Sequence, residues 1–401
     1  MKNRLLGGIF LIVGLSTGGG MIALPIVTAT GGFFFSIIFL MLCWSVMTIG
    51  AFLILEVNLW LPPGCHIISM AKATLGPIGE AVAWLAYLLL LYSVIAAYIS
   101  GGGDLVNNLF ANFQWILASW QSQTLFLVVL ASVVMLGITF IDYVNRGLMS
   151  IKLLSFVLMM LLILPHGHTA PLTSLGEILP LAATISVMIT SFGYAAIVPS
   201  LRSYFHSDVR QLRLAVLIGS LIPLFIYIIW VGVIFAVIPQ EGEFGLQAIR
   251  QSQHSTADLL RALDHYLQNA WIKDIMHIFM AVCIGTSFLG ATLSLSNFLS
   301  DGLNVQKKNY GGLLIYGLTF LPPLIVVIFY KSAFVKALSV AGIFCTILLM
   351  LLPALMAWRG RYHLNMSKGY QLMGGRAPLV LTFILSIVII LLAMHYDLHL
   401  F

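Results

Sequence analysis

Runs of about 20 predominantly apolar residues recur along this chain with short polar breaks between them, and that recurrence constrains the fold more than any motif. In a bilayer every backbone N–H and C=O has to be satisfied within its own segment, so such runs are helices. Eleven are predicted, at about 5–28, 33–60, 80–101, 123–141, 148–165, 178–199, 212–237, 273–300, 311–330, 333–357 and 377–396. Only 8% of the 401 residues are charged, against roughly a quarter in soluble domains, so a water-facing surface cannot be covered. The expectation is one all-α integral membrane domain over residues 1–401. The opening Met1, Lys2, Asn3, Arg4 before an apolar run mimics a signal peptide, but no small-residue cleavage site interrupts it, and it reads as an uncleaved first span.

The net charge of +6 is topological. Lys and Arg are scattered among short loops and form no patch or stripe, which argues against nucleic acid as a partner. With the N-terminus in the cytoplasm, fourteen fall on the inner side: Lys2, Arg4, Lys72, Arg146, Lys152, Arg202, Arg210, Arg213, Lys307, Lys308, Arg359, Arg361, Lys368 and Arg376. Five fall outside: Arg250, Arg261, Lys273, Lys331 and Lys336. An odd number of spans then puts the C-terminus on the periplasmic side. The outer connection 239–272 contains the one extended polar stretch, Pro239 to Ala270. Within it Leu259, Leu260, Leu263 and Leu267 share one face, predicting a short amphipathic helix over Thr256 to Leu267 that either caps an outer vestibule or is a solvated connector.

Two spans carry interruptions that a membrane anchor would avoid. The first has Ser16, Thr17 and three consecutive glycines, Gly18, Gly19 and Gly20, followed by Pro25; the sixth has Thr190, Ser191, Phe192, Gly193 and Tyr194, followed by Pro199. Glycine weakens a helix and proline removes one of its hydrogen bonds. The two spans head two five-helix halves, about 5–165 and 178–357, and because five is odd the halves would sit inverted, with 377–396 as an extra helix. Broken helices at matching places in inverted halves point to a transporter's central site. Freed N–H groups there suit a carboxylate and freed C=O groups an ammonium, the two charges of an α-amino acid.

These segments, with Leu53 to Asn58, Tyr98-Ile-Ser100, Ser191 to Ser200, Thr286 to Gly290 and Thr319 to Pro323, resemble the bacterial aromatic amino acid permeases, above all their tyrosine-transporting members. The matches run in order along nearly the whole chain. The resemblance implies a LeuT-type five-plus-five inverted fold with an eleventh helix, proton-driven uptake and residence in a bacterial inner membrane. Related permeases often read Phe-Gly-Phe-His-Gly where this chain has Phe192 to Ala196, which leaves the preference among tyrosine, tryptophan and phenylalanine open.

Ser16 to Gly20 and Ser191 to Tyr194, with Tyr98, are the candidate substrate-binding residues. Glu56, inside an apolar run, reads either as a proton carrier or as a structural partner of a backbone N–H or a lysine. Lys152 resembles the lysine that replaces a sodium ion in proton-coupled relatives of the fold; the alternative is a side chain snorkelling to the cytoplasmic face. Ser287, Gly290, Ser294 and Asn297 share one small polar face that either lines the pathway or packs against span 1. His166 and His168 lack further ligands for a metal, and the cysteines (Cys43, Cys65, Cys283, Cys345) show no paired spacing. No cofactor or obligate protein partner is expected; the bilayer, an amino acid and a proton are. A channel would need a continuous polar pore, an intramembrane enzyme a nucleophile with its base, and an ATP-driven pump a Walker-type loop, and the sequence has none of these patterns. Secondary active transport of an aromatic amino acid with a proton is the leading expectation, with a general or tryptophan-preferring amino acid carrier and, behind it, a channel as the alternatives.

Overall fold

The computed structural model describes residues 2–398 other than 112, 116, 137, 168–175, 308, 331–332 and 368, so His168, Lys308, Lys331, Lys368 and His399 lie outside the described residues. All regular structure among the described residues is helical. The chain runs α1 (Lys2–Ser16), α2 (Gly19–Thr28), α3 (Gly32–Leu59), α4 (Ile67–Ala111), α5 (Ser119–Met135) and α6 (Ile138–Ile163). It continues through α7 (Ile178–Ala182), α8 (Ile185–Ser191), α9 (Val198–Tyr204), α10 (Val209–Val237), α11 (Leu246–Gln251) and α12 (Ser255–Leu267). The last five are α13 (Ala270–Leu303), α14 (Asn309–Phe329), α15 (Ala333–Thr346), α16 (Leu352–Tyr362) and α17 (Ala377–Leu398).

Among the described residues nine helical segments are long and apolar enough to cross a membrane, and two shorter apolar helices, Arg4–Ser16 and Ser119–Met135, accompany them. The chain is therefore a multi-pass membrane protein. The first and sixth apolar runs are interrupted where the sequence predicts, and the third differs from its predicted length. The first run is cut at Thr17 and Gly18 into α1 and α2. The sixth is cut into α7, α8, a 3-10 turn over Gly193–Ile197, and α9. The third is much longer than its 22 predicted apolar residues: α4 covers 45, bent at Gly76, whose φ of 79° and ψ of −163° only glycine adopts readily. The amphipathic segment of the long connection folds as α12, with Leu259, Leu260, Leu263 and Leu267 all buried, as their spacing predicts.

Lipid is as apolar as leucine, so close backbone approach and cross-helix hydrogen bonds have to carry the association of these helices. Gly342 of α15 lies directly on the Ser186 carbonyl of α8, where a Cβ would collide with it. Beside that contact the Ser186 and Ser339 hydroxyls are 2.9 Å apart and Thr190 donates to the Leu338 carbonyl at 3.1 Å. Pro322 has no N–H to offer the Leu318 carbonyl one turn back, and the Tyr92 hydroxyl on α4 donates to that oxygen at 2.8 Å. A five-residue π-helical stretch, Ile347–Leu351, separates α15 from α16 and packs on α3, where Gly50 meets the Leu349 carbonyl.

Candidate functional site

The first break opens because α1 ends at Ser16 and Gly18 takes an extended conformation, φ −128° and ψ −156°, at the N-cap of α2. Each glycine that follows has its own neighbour. A Cβ on Gly18 would collide with Ser287 Oγ, one on Gly19 would lie 2.5 Å from Tyr98 Cε1, and one on Gly20 would lie 3.0 Å from Ser191 Oγ. The Gly19 N–H, at the positive end of α2, donates to Ser287 Oγ at 2.9 Å. The triple glycine thus admits residues from α13, α4 and α8 to one piece of backbone.

The second break begins where α8 ends at Ser191. The Tyr227 hydroxyl, from the middle of α10, reaches both breaks: it is 2.6 Å from the Ser16 carbonyl oxygen and 2.8 Å from that of Ser191. Phe192 packs edge-on against the Tyr227 ring, 5.1 Å between centroids at 62°. Tyr194 is buried, but its hydroxyl is 2.7 Å from Thr48 Oγ1 of α3. Ser16 and Thr17 turn their hydroxyls back onto their own helix, to the Ile12 and Val13 carbonyls.

Lys152, 2% exposed, extends from α6 to the first break, where its ammonium donates to the Thr17 carbonyl at 2.6 Å and lies 3.4 Å from that of Gly14. The cavity beside it, lined by Thr17, Met21, Lys152, Phe156, Ile226 and Phe279 among others, holds about 10 Å³, space for about one water at most. The ammonium is therefore held by freed helix carbonyls with almost no solvent present.

Glu56 is fully buried near the end of α3. Its carboxylate accepts from Arg361 Nε at 2.7 Å, from Arg361 Nη2 at 2.5 Å and from the Leu372 N–H at 2.8 Å. The structural partner is thus an arginine together with a backbone N–H. The polar face of α13 divides: Ser287 reaches the first break, whereas Ser294 donates back to the Gly290 carbonyl at 2.8 Å and exposed Asn297 accepts from Lys307.

The structure therefore brings together Ser16 to Gly20, Tyr98, Lys152, Ser191, Phe192 and Ser287. It sets Glu56, Ser294 and Asn297 apart from them, and gives the Tyr194 hydroxyl to α3. Sequence reading missed Tyr227 and Arg361. A lone tyrosine in an apolar helix carries no pattern, and Arg361 counted only as a loop cation.

The sequence profile of the tryptophan/tyrosine permease family matches residues 1–393. The chain is 32% identical over 399 residues to a tyrosine-specific transport system 2 of Haemophilus influenzae, covering 98% of this chain and 96% of that protein. It is 29% identical over 394 residues to a tryptophan-specific transport protein of Pseudomonas aeruginosa, covering 96% and 93%. It is also 28% identical over 403 residues to a glutamine transporter 2 of Aliivibrio fischeri, covering 98% and 99%. A profile that spans all but the last few residues, over a bundle broken twice at one place, makes this chain a member of the tryptophan/tyrosine permease family.

Proposed function

We propose that this permease is a secondary active transporter that imports an aromatic amino acid, tyrosine before tryptophan, together with a proton. Family membership supports the aromatic substrate class, and the tyrosine-specific relative supports the order of preference. The observation that carries the mechanism is the meeting of the two breaks: the carbonyl ends of α1 and α8 converge on one hydroxyl, beside the N–H end of α2. The substrate's ammonium belongs at the carbonyl ends and its carboxylate at the start of α2, with Tyr98 and Phe192 as aromatic neighbours for the side chain. Lys152 is the proposed coupling group. Its positive charge fills the place a metal cation would take among the Thr17 and Gly14 carbonyls, so loss of its proton would loosen α6 from the first break. The Lys and Arg imbalance supports a cytoplasmic N-terminus, and the family resemblance supports a bacterial inner-membrane protein in a LeuT-type inverted arrangement with an eleventh helix.

Uptake of labelled tyrosine into proteoliposomes under separately imposed proton and sodium gradients tests this. A pH gradient, acidic on the outer face, should drive accumulation in potassium-only buffer. Lys152→Ala should abolish that accumulation while substrate exchange survives. Strict dependence on sodium would end the proton reading. Tryptophan and phenylalanine should compete and alanine should not. The glutamine-transporting relative favours a second reading, a broader amino acid carrier, and equal competition by glutamine would select it.

A further inference from the structure

The Tyr227 hydroxyl has one proton and two carbonyls to serve, Ser16 at 2.6 Å and Ser191 at 2.8 Å. These oxygens belong to the last residues of α1 and α8, so each sits at the negative end of a helix dipole. The Ser16 carbonyl also accepts the Gly18 N–H at 2.8 Å, so the one hydroxyl proton is shared between that oxygen and the Ser191 carbonyl, and a buried acceptor short of a donor is costly. The Tyr227 ring is fully buried and held edge-on by Phe192, so the hydroxyl cannot leave the pair of oxygens without moving the ring. A group with several N–H donors and a full positive charge would serve both oxygens better than the hydroxyl does.

We infer that the Tyr227 hydroxyl is an internal stand-in for the substrate's ammonium, holding the two broken ends together while the site is empty and displaced from them when an amino acid binds. This rests on the substrate lying between the breaks, as proposed above. The displacement links occupancy to α10, because the hydroxyl bridge from that helix to the two carbonyl ends exists only when no ammonium is there. It also sets affinity by a difference: the ammonium gains two carbonyls and the hydroxyl loses them, so the hydroxyl acts as a built-in competitor. The competition concerns only ligands that bring an ammonium. An acid of the same shape without it, 3-(4-hydroxyphenyl)propanoate, leaves the hydroxyl where it is.

Tyr227→Phe keeps the ring and removes the competitor. In equilibrium binding to the purified full chain it should tighten L-tyrosine about tenfold, the equivalent of ~1.4 kcal/mol for one hydrogen bond. Inhibition by 3-(4-hydroxyphenyl)propanoate should stay as in the unaltered chain. Unchanged or weaker binding of L-tyrosine overturns the inference, as does equal tightening of both ligands, which would mark a general change in packing. Gly19→Leu, measured alongside, separates the two levels: if that variant binds normally, the placement of the substrate has failed, whatever Tyr227→Phe does. Should Tyr227→Phe not assemble, Tyr227 replaced by 3-fluorotyrosine decides. Its fluorine resonance should shift on saturation with L-tyrosine and not with 3-(4-hydroxyphenyl)propanoate, and a shift with both or with neither overturns the inference.

Discussion

The indole N–H of Trp230 donates to the carbonyl oxygen of Met21 at 3.0 Å, and that oxygen is the one Pro25 leaves without a partner. In a helix the N–H four residues on would serve it, and proline has none. Trp230→Phe should therefore destabilise the protein by ~1–3 kcal/mol, the cost of a buried acceptor left unmade. Pro25→Ala in the same chain should recover much of the loss, because it restores the missing N–H. Thermal unfolding of the four proteins of this cycle measures the coupling, and equal losses with Pro25 and with Ala at that position would show that the indole acts by packing alone.

Glu56 and Arg361 form a buried fork, closed from the other side by the Leu372 N–H. Removing one partner of such a pair leaves the other charge uncompensated, at ~3–5 kcal/mol. Glu56→Gln should lower the unfolding temperature and release the segment around Leu372 to proteolysis. A proton carrier would behave in the opposite way, losing gradient-driven uptake at unchanged stability.

At Gly19 the neighbouring ring sets the tolerance. A methyl there meets Tyr98 Cε1 at 2.5 Å, so Gly19→Ala should weaken binding and Gly19→Leu should abolish it, with insertion into the membrane preserved. Tyr98→Leu combined with Gly19→Ala should restore part of the binding, since the obstacle is the ring and not the backbone. Radioligand binding to the inserted protein is the measurement, and normal binding by Gly19→Leu would remove the site.

The connection that carries α12 is fastened to α4 by His254, whose Nδ1 lies 2.7 Å from Asp104 Oδ1. The hydrogen bond to that carboxylate holds His254 above its ordinary pKa, against an opposing effect of burial; nearby Asp258 adds to the rise and Arg261 opposes it. A raised folded pKa means that the fastening is complete below the ordinary histidine value, about 6.5, and is lost as pH rises through the folded one. Proteolysis of segment 239–272 should accordingly be slower at acid than at alkaline pH. In His254→Gln the rate should not change with pH, and a pH-dependent rate in that variant would assign the effect to another group.

Features encoded locally were legible in the sequence, and features made by two distant segments were not. The breaks at Gly18 and Gly193 were readable because glycine and proline act on their own backbone. The α12 stripe was readable because four leucines repeat with the helix. Lys152 stood out because a cation in an apolar run needs either a partner or a reach to the interface, and the structure gives it the Thr17 carbonyl that the break frees. The donors that complete these features, Tyr227 for Ser16 and Ser191 and Trp230 for Met21, sit some two hundred residues from their α1 and α2 acceptors, in a helix whose apolar face has no period to single them out. Arg361 was hidden because a cation near a helix end usually faces water, whereas here its guanidinium turns inward to Glu56.

Where Gly342 rests on the Ser186 carbonyl, α15 and α8 touch backbone to backbone. The hydrogen bonds of Ser186 and Thr190 fasten the same two helices beside it. The piece of broken helix that ends at Ser191 is therefore seated on α15 at backbone distance, and any side chain at 342 has to push the two helices apart.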